Sequence, residues 1–234
     1  MPNPPSILLT RPIAQSERFA EKLRERFGDI SNIVISPLLK IEPTGNKVDL
    51  SDRPAIVLTS ENAVSALCTG QFPEGLEAFC VGAQTAKAAR DAGMIVTVGE
   101  GGANELAELI LRSEPKSSYL HVHGENVHGS LVRMLQEAGR NARNQVVYRQ
   151  VPLALSDHAL SVLRDAGPVV VPLFSPRTAQ LISNAVGDVG GNVTVVALSG
   201  AVAEAVGLPV RRIMISEKPS SAAMIEAISR SLTS

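Results

Sequence analysis

Two short stretches combine hydroxyls with free backbone amides in a spacing suited to holding an anion. In Leu58-Thr59-Ser60-Glu61-Asn62-Ala63-Val64, a hydroxyl pair ends the apolar run Ala55-Ile56-Val57, and Ala63, Val64 and Leu67 open a helical stripe. Ser60 stands where its oxygen can cap that helix by accepting from the free amides of the first turn. Strand end, polar turn and helix start together point N–H groups and the positive end of the helix dipole outward. The pattern recurs in Leu173-Phe174-Ser175-Pro176-Arg177-Thr178-Ala179, after the apolar run Val169-Val170-Val171-Pro172. Pro176 occupies the place of a first helical residue. Two small-residue turns, Gly82-Ala83-Gln84-Thr85-Ala86 and Ser199-Gly200-Ala201-Val202-Ala203, also follow apolar runs.

Each candidate has a plainer alternative. Ser60, Asn62, Thr85, Ser175 and Ser199 are also what helix caps and turns require. Arg11 and Arg177 sit beside strand ends, where a guanidinium fork can meet a carboxylate; solvated surface charge explains them as well. Arg149 is similar, although its neighbour in an extended segment could turn it away. Tyr148 carries a phenol that can donate to a departing hydroxyl or accept from an amide; its alternative is a strand tyrosine with only the ring buried. His121 and His123 fall on one face of a strand, with His128 nearby. No cysteine or convergent carboxylate joins them, and zinc needs three or four ligands, so no metal is expected. His123 with Gly124 instead ends a strand where a substrate can be touched. Gly99-Glu100-Gly101-Gly102 lies between a strand and a helix, but its spacing is not that of a dinucleotide loop.

The net charge of −1 gives no global attraction to nucleic acid or an anionic membrane, so any anionic ligand must be held locally. Aromatic residues make up only 3% with no Trp, which leaves few platforms for stacking bases. Hydrophobic content of 44% is ample for a folded core. Cys68 and Cys80 form neither a disulfide framework nor a metal motif and read as buried thiols. Met1-Pro2-Asn3-Pro4-Pro5 does not read as a secretory signal, and no apolar run approaches the ~20 residues of a membrane span. A cytoplasmic protein is expected, with no nucleic acid or membrane as partner.

The elements that must position these residues alternate throughout as strand and helix, which predicts α/β architecture with parallel sheets. Helices are expected from Pro12 to Gly28, from about Val127 to Ala138, around Leu155 to Ala166 and after Pro219-Ser220-Ser221. The order repeats: residues 7–38 match 119–151, and 55–110 match 169–228, a period too long for a solenoid. Two similar lobes follow. Segments 37–43 and 145–151 are extended and stand at equivalent places, so they are expected to pair as a two-stranded linker. Residues 1–36 and 152–234 then form one discontinuous lobe, and 44–144 the other.

The sequence resembles the uroporphyrinogen-III synthases over nearly its whole length. The resemblance is carried by Leu9-Thr10-Arg11-Pro12, Pro37-Leu38, Thr59-Ser60-Glu61-Asn62-Ala63-Val64, Val81-Gly82 with Thr85-Ala86, Val147-Tyr148-Arg149, Phe174-Ser175-Pro176 and Lys218-Pro219-Ser220. It implies two α/β lobes on a two-stranded linker with the active site in the cleft between them. It implies a cofactor-free lyase that dehydrates and cyclises hydroxymethylbilane while inverting the last pyrrole ring, through a spiro intermediate. The carboxylated substrate would be held mainly by main-chain amides and hydroxyls, and Tyr148 matches a linker tyrosine held to assist loss of the hydroxyl. A small-molecule tetrapyrrole substrate is thus expected, with the preceding pathway enzyme as a conceivable partner and a monomer as the working form. The chain departs from the family pattern at Ser199, where many members carry Gly, and at His123, where Arg is more usual.

Two other classes compete. A non-catalytic sensor module on the same two-lobed fold would ordinarily carry an output domain. A nucleotide-dependent transferase would show a phosphate loop of conventional spacing and an acidic ribose ligand.

Overall fold

The computed structural model describes residues 5–28, 32–67, 73–126, 130–165, 167–187 and 192–232. In chain order the elements are β1 (Ser6–Leu9), α1 (Ile13–Phe27), β2 (Asn32–Ile35), β3 (Leu39–Pro43), β4 (Ala55–Leu58), α2 (Glu61–Leu67), β5 (Glu77–Val81), α3 (Gly82–Asp91), β6 (Ile95–Gly99) and α4 (Ala103–Arg112). They continue with β7 (Tyr119–Gly124), α5 (Leu131–Glu137), β8 (Ala142–Pro152), α6 (Asp157–Arg164), β9 (Val169–Leu173), α7 (Pro176–Ala185), β10 (Val193–Ala197), α8 (Gly200–Glu204), β11 (Arg212–Ile215) and α9 (Ser221–Leu232). The helix expected from Val127 begins, among the described residues, at Leu131. Cys68 and His128 lie outside the described residues.

The chain divides into two compact units, Met1–Lys40 with Val151–Ser234, and Ile41–Gln150. The first holds a five-stranded sheet in the order β11-β10-β9-β1-β2, every neighbouring pair parallel. Its strands are apolar runs because both faces are covered. Alternation sends Leu8, Val171 and Val195 to one face, against Leu163 and Ile182. Ile7, Leu9, Val170 and Val196 go to the other, against Phe19, Leu23, Met224 and Ile228. Helix α1 ends at Gly28, whose φ of 65° suits a residue without a Cβ and whose N–H donates to the Arg24 carbonyl at 2.7 Å.

The second unit holds a sheet in the order β3-β8-β7-β4-β5-β6, parallel from β8 to β6. Ile56, Leu58, Leu120 and Val122 face Val64, Ala86 and Ala89. Val57, Phe79 and Tyr119 face Leu106, Ile110 and Leu135. Burial pushes the Cys80 thiol up to about 11, against the pull of Arg90, so it sits in this core as a small apolar group. Read from β2 and from β8, the two sheets share one topology: β2-β1-β9-β10-β11 corresponds to β8-β7-β4-β5-β6. In both, the chain leaves the central pair of strands in opposite directions, which opens a crevice at their carboxyl ends. The central pairs are β1 with β9 and β4 with β7.

Strand β3 lies along β8. The pair is antiparallel, since the Thr44 N–H donates to Val147 O at 2.8 Å and the Leu153 N–H to Leu38 O at 2.9 Å. Arg149 Nε meets Glu42 Oε2 across the pair at 3.3 Å. Among the described residues, no helix is long and apolar enough to cross a membrane.

Candidate active site

The β4/β7 crevice of the second unit contains a concavity of about 830 Å³. The β4 turn contributes Thr59 and Ser60, β7 contributes His121 and His123, and β8 contributes Asn144, Tyr148 and Gln150. Ser60 Oγ accepts from the Asn62 N–H at 3.2 Å, which caps α2 and leaves the hydroxyl proton free to donate outward.

Tyr148 reaches the concavity because β8 is irregular. His123 pairs with Val146, but the next residue, Gly124, pairs with Tyr148, so one residue is extra on β8. Such a bulge re-aims the side chain that follows it. Val147 and Tyr148, although adjacent in the strand, consequently both join the core cluster of Ile56, Leu120 and Val122. A Cβ on Gly124 would come within 2.5 Å of Tyr148 Cε2 and 2.6 Å of Cζ, so the phenol ring lies directly on the glycine. Among the described residues the Tyr148 hydroxyl has no hydrogen-bond partner, and it belongs to the concavity's wall.

His121 and His123 stack with ring centroids 4.8 Å apart. Burial, with His123 adding to it, pulls His121 down to about 4, against a hydrogen bond with the Asn144 side chain that raises it. His121 is therefore neutral at pH 7, with Nε2 3.3 Å from Thr59 Oγ1. His123 Nδ1 lies 2.7 Å from the Gly124 carbonyl oxygen. A carbonyl only accepts, so Nδ1 carries a proton. His123 Nε2 is buried and has no partner among the described residues. At the concavity's edge Arg143 is occupied by a two-point ion pair with Asp52, at 2.9 and 2.8 Å. That pair and Ser118 hold the Asp52 carboxyl at about 2.

The other expected residues fall elsewhere. Arg11, after β1, lays its guanidinium over the Phe174 ring at 4.3 Å. Ser175 caps α7, accepting from the Thr178 N–H at 3.1 Å, and its Oγ lies 2.8 Å from Thr178 Oγ1. Arg177 is half-buried on the first turn of α7, and Ser199 precedes α8 without a side-chain cap bond. These four gather at the carboxyl ends of β1, β9 and β10 in the first unit. Thr85 is 6% exposed on the inner face of α3 with Ala86 and Ala89, away from the concavity. Ser60, His123, Gly124 and Tyr148 are the expected residues that the second unit brings together, with Asn62 next to Ser60. Thr59, His121, Asn144 and Gln150 were not expected in the wall; period-2 alternation marks His121 as sharing a face with His123.

A family model described as uroporphyrinogen-III synthase HemD matches residues 17–226. The chain belongs to the uroporphyrinogen-III synthase family. It is thus an enzyme, a cyclising lyase of tetrapyrrole synthesis, with a tetrapyrrole as the substrate its family implies. No curated protein matches the chain. Among solved structures it is similar to the uroporphyrinogen-III synthetase of Helicobacter pylori 26695, at 18% identity and TM-score 0.67 over 97% of this chain and 99% of that one. It is also similar to a mutant uroporphyrinogen III synthase of the extremely thermophilic bacterium Thermus thermophilus, at 17% identity and TM-score 0.52 over 98% and 99%. At these identities the likeness is one of fold, and it agrees with two-lobed α/β architecture.

Proposed function

We propose that the chain converts hydroxymethylbilane to uroporphyrinogen III with Tyr148 as the proton donor. The phenol gives its proton to the terminal hydroxyl, which leaves as water and leaves a cationic azafulvene. The last pyrrole ring attacks the azafulvene methylene through its already substituted α-carbon to give a spiro intermediate. The bond from that carbon to the preceding methylene then breaks and re-forms at the ring's other α-carbon, which closes the macrocycle with that ring inverted. The proton this carbon loses on rearomatisation returns to the phenolate. One water is lost and no cofactor is consumed. The observation that carries this reading is the buried phenol laid on Gly124 in the wall of a polar concavity at a topological switch point. An ordinary carboxylate is ionised at neutral pH and cannot donate, whereas an ordinary phenol holds its proton to about pH 10.

Substrate carboxylates meet the hydroxyls and amides at Ser60, Asn62, Gly124, Ser175 and Ser199, with Arg11 and Arg177 supplying charge. Thr85 takes part through its turn rather than its buried hydroxyl. The lobes are residues 1–36 with 152–234, and 44–144, with 37–43 and 145–151 as the linker; the antiparallel β3–β8 pair and the separate sheets support this division. The test is an assay on freshly generated hydroxymethylbilane that separates isomers. Type I forms spontaneously, so only enzyme-dependent type III product supports the proposal, and its absence refutes it.

A further inference from the structure

The imidazole of His123 poses a problem that the rest of the concavity does not. Its ring is 8% exposed, its Nδ1–H is spent on the Gly124 carbonyl, and its Nε2 is buried with no partner among the described residues. A buried polar atom without a partner is costly, and an apolar residue of similar shape would avoid the cost. The neighbouring ring of His121, 4.8 Å away, is neutral and already engaged with Thr59. With Nδ1 holding the ring proton, His123 Nε2 is a lone pair on a side chain that lines the concavity together with Ser60, whose hydroxyl can donate. No metal explains it, since no group of three or more His, Cys, Asp or Glu is assembled among the described residues.

The substrate class supplies the complement. Carboxylate arms only accept hydrogen bonds and find a donor in the Ser60 hydroxyl. A pyrrole N–H only donates and needs an acceptor. We propose that the imidazole of His123 accepts, through Nε2, a hydrogen bond from a pyrrole N–H of the bound linear tetrapyrrole, and so fixes which ring lies beside Tyr148. The inference rests on the substrate reading above. It makes His123 a determinant of ring orientation, and hence of isomer choice, rather than a charge partner for carboxylates.

The test uses the full chain and hydroxymethylbilane generated in place. A wild-type chain that yields only type I product overturns the substrate reading and this inference with it. With an active wild type, His123→Asn and His123→Gln are compared. Asn keeps an amide N–H near the position of Nδ1 and places nothing at Nε2, whereas Gln extends an amide whose oxygen can occupy the Nε2 position. The expected result is a loss of about tenfold in kcat/KM for type III product in His123→Asn, with type I product rising in proportion. His123→Gln stays within about threefold of wild type, with both melting temperatures close to wild type. Equal activity in wild type and Asn, or equal losses in Asn and Gln, overturns the proposal. A second measurement needs no variant. In the wild-type protein the ¹⁵N resonance of His123 Nε2 should move upfield on saturation with uroporphyrinogen III, which retains its pyrrole N–H groups. A resonance that does not move, or one already typical of a protonated nitrogen, also overturns it.

Discussion

Tyr148 packs its ring on Gly124, and its hydroxyl has no hydrogen-bond partner among the described residues, so removing that oxygen separates chemistry from packing. Tyr148→Phe should keep the fold and lower type III formation by about tenfold or more, within the usual range of general-acid help. Near-normal turnover in that variant would show that the phenol is not the donor. His121 gives a second prediction at the same scale. Its folded value of about 4 lies below its ordinary 6.5. Between those values the unfolded chain binds more protons, so stability falls as the pH drops through that window. The loss from pH 7 to pH 4.5 is roughly 2 kcal/mol for this one group. His121→Gln removes the titration, so urea unfolding at the two pH values should show wild type losing about that much more than the variant. Equal losses would refute the assignment. Ser60 and Tyr148 were legible as candidates because their types and neighbours carry chemistry. His121 was legible only as half of a histidine pair, since alternation gives its face but nothing in the sequence gives its burial or its Thr59 partner.

At the scale of elements, the alternation of apolar runs and helical stripes was enough to predict parallel α/β architecture, because strands covered on both faces lose their polar alternation. Caps were equally plain: Ser175 before Pro176 opens α7, and Gly28 closes α1. The β8 bulge was not legible. Val147 and Tyr148 should lie on opposite faces by period 2, yet both pack in one core cluster, and only the register of β7 against β8 shows why. Thr85 shows the same limit. Its turn resembles a ligand loop, but α3 begins directly at Gly82 and places Thr85 on the face packed with Ala86 and Ala89. The bulge makes a sharp prediction. Gly124→Ala puts a Cβ 2.5 Å from a buried aromatic carbon, so the ring must leave its position. The cost should be about 1–3 kcal/mol, as for other overpacked sites, with type III formation falling too. In a Tyr148→Ala background the same substitution should cost far less, since the clash has gone. A double-mutant cycle with no coupling between the two positions would mean that they do not meet.

For the whole molecule, the connection between the units has a defined place. Every core cluster among the described residues draws on one unit alone: Leu8 packs with Val171 and Ile182, Ile7 with Phe19 and Met224, Ile56 with Leu120, and Val57 with Leu106. Each unit also owns its sheet, apart from the β3–β8 pair that carries the chain across. That pair brings Leu38 against Leu153 and Thr44 against Val147, and the same register sets Lys40 opposite Val151. Lys40 and Val151 are also where the units divide. Two facing residues of an antiparallel pair can be joined by a two-residue Asn-Gly turn, whose twist matches that of the strands. Residues 1–40 joined in this way to 151–234 should therefore fold without the intervening segment. Residues 41–150 should fold by themselves, because their termini are the two strands of the same pair. The expected observation for each piece is one cooperative urea transition with fixed near-ultraviolet dichroism. Hydrophobic burial supports this, since among the described residues each core cluster is built from one piece. A broad, non-cooperative transition in either piece would mean that its stability depends on the other unit, and that the division drawn from the separate cores is not an energetic one.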